Sequence, residues 1–451
     1  MTVTVDVATE SIRTDTSTLY SFSHAGGTFP RGVAVSVIHG VSSTDHISGI
    51  TYGGVSLKRQ KTASRSAGEP GRSDWWFLGK SVPPGTQNVV ASLSATTDDI
   101  QFVCVTLNAA DDLFISDRLH LSGDINDPSV TLESFDLPGM ALSALYWGGG
   151  ASSATPNANM TAVHTHDFAG QSFSARVDRQ TTGDTADFIN SYDTNQDDTA
   201  LVAIRPTEKP AIPLVVIRNS GDHGGVDSFT TGSFFFQYDS VYLIFIMAAD
   251  ESFTIDPGPD ADGHGLTWTP LEYISDIDQQ TDQQILWVAQ GVGTINSGVT
   301  TGPTSMSVTI DGNSIDQSSH VVLEIFGADI ADPIVQHAQN TGINTTAISV
   351  ALNSFMDINN RPILFATNDN NSSIISEEGG WTTLYESSDA GPPQWYEHLA
   401  WHASSSDNTP TMTNSIAADW GAIALEIRAR STPFTRRIFV KSQAQHRANR
   451  W

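Results

Sequence analysis

One order of elements recurs four times along this 451-residue chain, at roughly hundred-residue spacing, and it limits the fold more than any other feature. Each copy opens with a short strand-like segment, followed after a turn by a longer apolar one. The pairs are Leu19-Tyr-Ser-Phe with Val33-Ala-Val-Ser-Val, Val130-Thr-Leu with Met140-Ala-Leu-Ser-Ala-Leu, Phe234-Phe-Phe with Val241-Tyr-Leu-Ile-Phe, and Ile348-Ser-Val with Pro362-Ile-Leu-Phe-Ala. Each copy closes on an apolar run: Phe102-Val-Cys-Val-Thr-Leu, Ala200-Leu-Val-Ala-Ile-Arg205, Val321-Val-Leu-Glu-Ile-Phe326 and Ala422-Ile-Ala-Leu-Glu-Ile-Arg428. Gly, Asn, Asp, Ser and Pro separate these runs, a strand-and-turn pattern, and no dozen residues show helical periodicity. The chain is therefore expected to be all-β.

The third and fourth copies share a further signature, in which Leu266-Thr-Trp268 parallels Gly380-Trp381-Thr and Ile285-Leu-Trp287 parallels Leu399-Ala-Trp401. The first copy has Trp75-Trp-Phe-Leu78 at the corresponding place. A large aromatic on the inner face of a sandwich is a core anchor, and that reading is preferred to a ligand platform. The expectation is four tandem β-sandwich repeats of jelly-roll or immunoglobulin-like type, with six or seven short strands each. The divisions are an N-terminal segment (1–16), repeat 1 (17–115), repeat 2 (116–208), a linker (209–228), repeat 3 (229–332), repeat 4 (333–430) and an extended C-terminal arm (431–451). Copies one and two could pair, as could three and four, across the Pro-rich stretch Arg205-Pro-Thr-Glu-Lys-Pro-Ala-Ile-Pro213.

Charge narrows the function. With 50 acidic and 22 basic residues the net charge is -28, which argues against nucleic-acid binding by the body, because phosphate neutralisation needs Lys and Arg. Asp outnumbers Glu 38 to 12 and Arg outnumbers Lys 17 to 5, a surface chemistry that suits a high-salt, halophilic source. No run approaches the length of apolar residues that spans a membrane, so no membrane insertion is expected. The start of the chain, Met1-Thr-Val-Thr-Val-Asp-Val, does not read as a secretory signal. The one cysteine, Cys104, lies in an apolar run and reads as a buried small hydrophobe.

Few segments invite chemistry. Asp256-Pro-Gly-Pro-Asp-Ala-Asp-Gly-His264 could bind calcium, but it lacks the ligand spacing of an EF-hand and reads better as an acidic turn. His164 and His166 fall on one face of a strand, with no further Cys or His cluster nearby in sequence. Adjacent Glu377 and Glu378 point to opposite faces of a strand and are poorly placed as a glycosidase pair. No G-x-S-x-G, P-loop or H-E-x-x-H motif is present. No catalytic residue, cofactor or metal is assigned.

The C-terminal segment differs from the rest. After Glu426 there is no acidic residue, while Arg428, Arg430, Arg436, Arg437, Lys441, Arg447 and Arg450 are all basic. Interleaved with Phe434, Ile438, Phe439, Val440 and Trp451, this reads as a docking arm for an acidic partner, including another copy of the chain. Its candidate contact residues are Arg436, Arg437, Phe439, Lys441, Arg447, Arg450 and Trp451.

The sequence Pro362-Ile-Leu-Phe-Ala, then Gly380-Trp381-Thr-Thr-Leu384, Trp395-Tyr-Glu-His-Leu-Ala-Trp401 and Gly421-Ala-Ile-Ala-Leu resembles tandem β-sandwich repeats of tailed-virus structural proteins and of some microbial surface proteins. The resemblance spans about residues 17–430 and is weakest in repeat 2. It implies a non-enzymatic virion surface role as a capsid turret, decoration protein or tail fibre, made in the host cytoplasm and oligomeric, with other virion proteins as partners. Two alternatives stand beside it. One is a module binding host surface glycan through Trp147 or Tyr192 beside Gly148-Gly-Gly150; the other is a polysaccharide-degrading enzyme with two carboxylates across a groove.

Overall fold

The computed structural model describes residues 3–430 except 14–16, 28–29, 41–43, 66–70, 95–99, 110–111, 126, 134–136, 149–153, 168–172, 181–187, 194–197, 211, 225–227, 233, 235–239, 250–252, 256–265, 275–276, 278–283, 294–306, 313–316, 356, 390–394 and 403–407. Its elements are all strands. Repeat 1 contains β1 (Thr4–Arg13), β2 (Leu19–Ala25), β3 (Gly32–His39), β4 (Ile47–Tyr52), β5 (Val55–Ser56), β6 (Lys58–Arg65), β7 (Gly71–Leu78), β8 (Thr86–Leu93) and β9 (Ile100–Asn108). Repeat 2 contains β10 (Leu113–Asp124), β11 (Ser129–Leu132), β12 (Ala141–Gly148), β13 (Thr155–Pro156), β14 (Thr161–Asp167), β15 (Phe173–Gln180), β16 (Phe188–Asp193) and β17 (Asp198–Glu208). Repeat 3 runs through β18 (Leu214–Gly224), β19 (Ser228–Thr230), β20 (Val241–Ala249), β21 (Phe253–Ile255), β22 (Leu266–Ile274), β23 (Gln284–Gly293), β24 (Ser307–Gly312) and β25 (Gln317–Phe326). Repeat 4 comprises β26 (Ile334–Ser349), β27 (Arg361–Asn368), β28 (Ile375–Glu377), β29 (Trp381–Asp389), β30 (Trp395–His402) and β31 (Thr411–Ile427).

The same strand order recurs in each repeat. A large sheet is ordered β1-β9-β3-β7-β6, β10-β17-β12-β15-β14, β18-β25-β20-β23-β22 and β26-β31-β27-β30-β29; a small sheet is ordered β2-β8-β4, β11-β16-β13 and β19-β24-β21. In repeat 4 the long strands β26 and β31 continue from the large sheet into the small one, where the far part of β31 pairs with β28. Eight strand positions result, against the six or seven expected. In every repeat the first strand pairs with the last, which departs from the immunoglobulin order, where the first two strands pair.

The central strands of the large sheets are buried on both faces. In β3, Val33, Val35 and Val37 face the small sheet of their own repeat, whereas Ala34 and Ile38 face repeat 2. In β12, Ala141, Leu145 and Trp147 face inward while Leu142, Ala144 and Tyr146 meet repeat 1. Repeats 3 and 4 do the same, with Leu243 and Phe245 packed against Ile363, Phe365, Ile423 and Leu425. Two four-layer blocks form, each with a core shared between two sandwiches. Burial on both faces explains why β3, β12 and β27 read as nearly unbroken apolar runs where half-exposed strands would alternate. Each buried aliphatic side chain stabilises by about 1.5–3 kcal/mol.

Two divisions read from sequence are corrected. Residues 4–13, assigned to an N-terminal segment, form β1, which pairs along its length with β9. Residues 214–224, assigned to the linker, form β18, which pairs with β25. Both are half-exposed edge strands carrying charge (Asp6, Glu10 and Arg13; Arg218 and Asp222), and their partners lie about a hundred residues on, so local apolar pattern does not reveal them. In repeat 3 the opening small-sheet strand is β19, while Phe235 and Phe236 of the expected Phe234–Phe236 strand lie outside the described residues.

The blocks touch where Phe114 meets Phe326, ring centroids 4.9 Å apart. Beside it, Gly327 adopts φ +74, and a Cβ there would stand 2.4 Å from the Pro210 carbonyl oxygen. Only glycine satisfies both conditions.

Candidate functional site

The seams between paired repeats gather His164 and His166, singled out by the sequence, together with titratable groups that the sequence did not mark. The pairing is reciprocal, each repeat setting its first strand beside the opposite edge of its partner's large sheet, as in a two-fold interface. Thus β6 lies against β10, and Glu10 of β1 lies beside His164 and His166 of β14. In the second block, Glu272 of β22 meets His337 of β26, and Asp222 of β18 meets Tyr385 and Ser387 of β29.

His164 and His166 share one face, as expected, because they stand two apart in regular register against Val177 and Ala175, beyond the bulge at Val163. The Nδ1 atoms lie 3.9 and 3.8 Å from the two Glu10 carboxylate oxygens, one of which also accepts a hydrogen bond from Gln101. The sequence offered no third ligand; the fold brings Glu10 from another repeat. Among the described residues no group of three His, Cys, Asp or Glu side chains is arranged to hold a metal ion. The arrangement can act as a charge contact between repeats.

The seam of repeats 3 and 4 is more deeply polar. Asp222 accepts from Tyr385 Oη at 2.7 Å and from Ser387 Oγ at 2.9 Å. Ser319 Oγ donates to Glu397 Oε2 at 2.6 Å, and Trp395 Nε1 donates to Gln317 Oε1 at 2.8 Å. Glu397 is fully buried. Burial raises its carboxyl pKa to about 8, with the Asp222 charge adding to that and the Ser319 hydrogen bond opposing it. A neutral acid inside a seam holds a proton and two repeats together; closed off from solvent, it reaches no substrate.

Glu377 and Glu378 diverge as read from sequence: Glu378 is exposed, whereas Glu377 accepts from Thr383 and lies 3.1 Å from His398 Nε2. Burial would raise the Glu377 carboxyl, but the Thr383 hydrogen bond and the His398 imidazole hold it below the usual range.

The proposed glycan platform is corrected. Trp147 is 1% exposed and Tyr192 2%, both within the core of repeat 2. Tyr192 donates to Asp178 and accepts from Ser143, so its hydroxyl is committed inward. Trp75, Trp76, Trp147, Trp381, Trp395, Trp401 and Trp420 are core residues divided between two kinds of core, whereas Trp268 is half-buried and the side chain of Trp287 lies outside the described residues. Trp76, Trp381 and Trp420 lie inside their sandwiches, whereas Trp75, Trp395 and Trp401 lie between repeats. Trp75 crosses the seam to donate to the Val202 carbonyl at 3.2 Å, beside Ser73 donating to Ala200. Cys104 is buried and its thiol pKa is raised by burial.

Missed by sequence reading is a stacked imidazole pair in repeat 3. His223 Nε2 lies 2.9 Å from His320 Nδ1, and His320 Nε2 lies 2.7 Å from Asn219 Oδ1, contacts that a pair of rings protonated on Nε2 satisfies. Burial lowers His320 to about 3. Isolated histidines a hundred residues apart carry no local signal. The segment Asp256–His264, Gly149 and Gly150, and the arm residues Arg436, Arg437, Phe439, Lys441, Arg447, Arg450 and Trp451 lie outside the described residues.

No protein-family model matches the chain, and no curated protein matches it.

Proposed function

We propose that this chain is a non-enzymatic structural protein exposed on a tailed-virus particle, as a capsid turret, decoration or tail appendage, built from jelly-roll repeats and assembling through its C-terminal arm. The observation that carries the reading is the core shared across each pair of repeats, which makes two four-layer blocks with few free internal hinges. Such blocks suit mechanical and spacing roles, because relative motion of two sandwiches would require separating a large apolar seam. The acidic body and the basic, aromatic-bearing arm of residues 431–451 are complementary in charge, which supports contact between the arm and a neighbouring subunit or virion protein.

Light scattering on the full chain and on residues 1–430, across a range of salt, tests this. An oligomer that loses mass on truncation and weakens with salt is expected. Equal masses for the two forms would refute assembly through the arm, and reducing-sugar release from a polysaccharide panel would refute the non-enzymatic reading.

A further inference from the structure

Repeat 4 departs from the other three at its first strand. β1, β10 and β18 carry charges (Asp6, Glu10 and Arg13; Asp117, Arg118 and Asp124; Arg218 and Asp222), and charge on an edge strand prevents edge-to-edge pairing. β26 is the equivalent edge strand, the longest of the four and mostly exposed, and its sixteen residues include no Asp, Glu, Lys or Arg. β31 pairs with one side of it, and no described strand pairs with the other.

The neutrality extends beyond this strand. Residues 333–355, 370–376 and 408–418 contain no Asp, Glu, Lys or Arg. Strand pairing brings the three runs together, since the end of β26 lies beside β31 and β31 beside β28. Ser415 exchanges hydrogen bonds with the backbone of Ile374, and Asn414 donates to the Thr345 carbonyl. Around this junction Ile343, Ile374 and Ile416 are 56%, 55% and 50% exposed. An isoleucine-bearing, Thr- and Asn-rich face thus stands on a chain of net charge -28, and the half-buried Asp419 at its margin has one carboxylate oxygen engaged by the Asn344 amide.

We infer that this face, with the free edge of β26, is a docking surface for a second copy of the chain. Charge selects that occupant. Two strongly acidic copies repel each other over most of their surfaces, and an uncharged face allows close approach without like charges at the seam. A basic partner would gain nothing there. An edge strand can also pair antiparallel with its own symmetry mate, which gives a closed two-fold contact and covers both edges together. The inference rests on the assembly reading only in taking the chain to be an assembly subunit.

The test uses the full chain. Light scattering of the wild type is expected to show an even number of copies, and I343D/I374D/I416D is expected to at least halve that mass. These side chains are exposed, so the variant should keep the wild-type circular dichroism and melting profile. T341K/T346K, which places charge on two exposed threonines of β26, is expected to do the same and serves if the triple variant fails to fold. A monomeric wild type, or a folded variant of unchanged mass, would overturn the inference. Both variants retain residues 431–451, so a loss of mass belongs to this face. Loss of mass on truncation alone, with both variants unchanged, would overturn it while leaving assembly through the arm standing.

Discussion

Replacing Glu397 by Gln should make the protein more stable in alkali and change little in acid. The carboxyl is fully buried, receives a hydrogen bond from Ser319, and has no partner for Oε1 among the described residues. Its folded-state pKa rises from the ordinary 4.5 to about 8. Below pH 4.5 both folded and unfolded chains hold the proton and there is no penalty. As pH rises from 4.5 through 8 the unfolded chain ionises more readily than the folded one, and stability falls. At about 1.4 kcal/mol per pH unit, this loss approaches an upper limit of about 5 kcal/mol. Glutamine is neutral at every pH and can still accept from Ser319. Urea unfolding of wild type and E397Q at pH 5 and pH 9, in the same salt, should give curves within about 1 kcal/mol of each other at pH 5, with the variant more stable by a few kcal/mol at pH 9. The same difference at both pH values would refute the buried neutral acid.

Three further outcomes follow from the same seams and cores. His39 is buried with both ring nitrogens unpartnered among the described residues, and burial lowers it to about 4, with Asp74 and Asp45 opposing and Arg72 and His46 reinforcing. Its contribution is present above pH 6.5 and lost as pH falls through 4, so His39→Leu should flatten the acid limb of the stability profile by up to about 3 kcal/mol, seen in melting temperature against pH. Trp75→Ala should cost about 3–5 kcal/mol and, although the residue belongs to repeat 1, should speed hydrogen exchange in β12 and β17 of repeat 2; unchanged exchange there would contradict a shared core. Gly327→Ala should lower stability by more than about 1 kcal/mol in thermal unfolding, since a Cβ meets both an unfavourable φ and the Pro210 carbonyl.

Much of this fold is legible in the chain itself. Short apolar runs ended by Gly, Asn, Asp and Pro determine strands, and the recurrence of Val33–Val37, Met140–Leu145, Val241–Phe245 and Pro362–Ala366 with their closing partners determines that one sandwich plan repeats. These signals are local. The first strands β1 and β18 were not legible, because an edge strand needs no apolar run and is defined by a partner about a hundred residues away. The doubling of the sandwiches was only hinted at: unbroken runs such as Val33–Ile38 show burial on both faces, but what covers the second face depends on how two repeats meet. For the same reason Trp75 and Trp76 are equivalent in sequence yet belong to different cores, and Trp147, a reasonable surface platform by its neighbouring glycines, turns inward. Glu397, His320 and the Glu10 contact with His164 and His166 carry no motif, since their partners come from distant strands. Local patterning sets which residues extend; only sheet stacking decides which face of each strand meets water, which meets its own sandwich and which meets the neighbouring repeat.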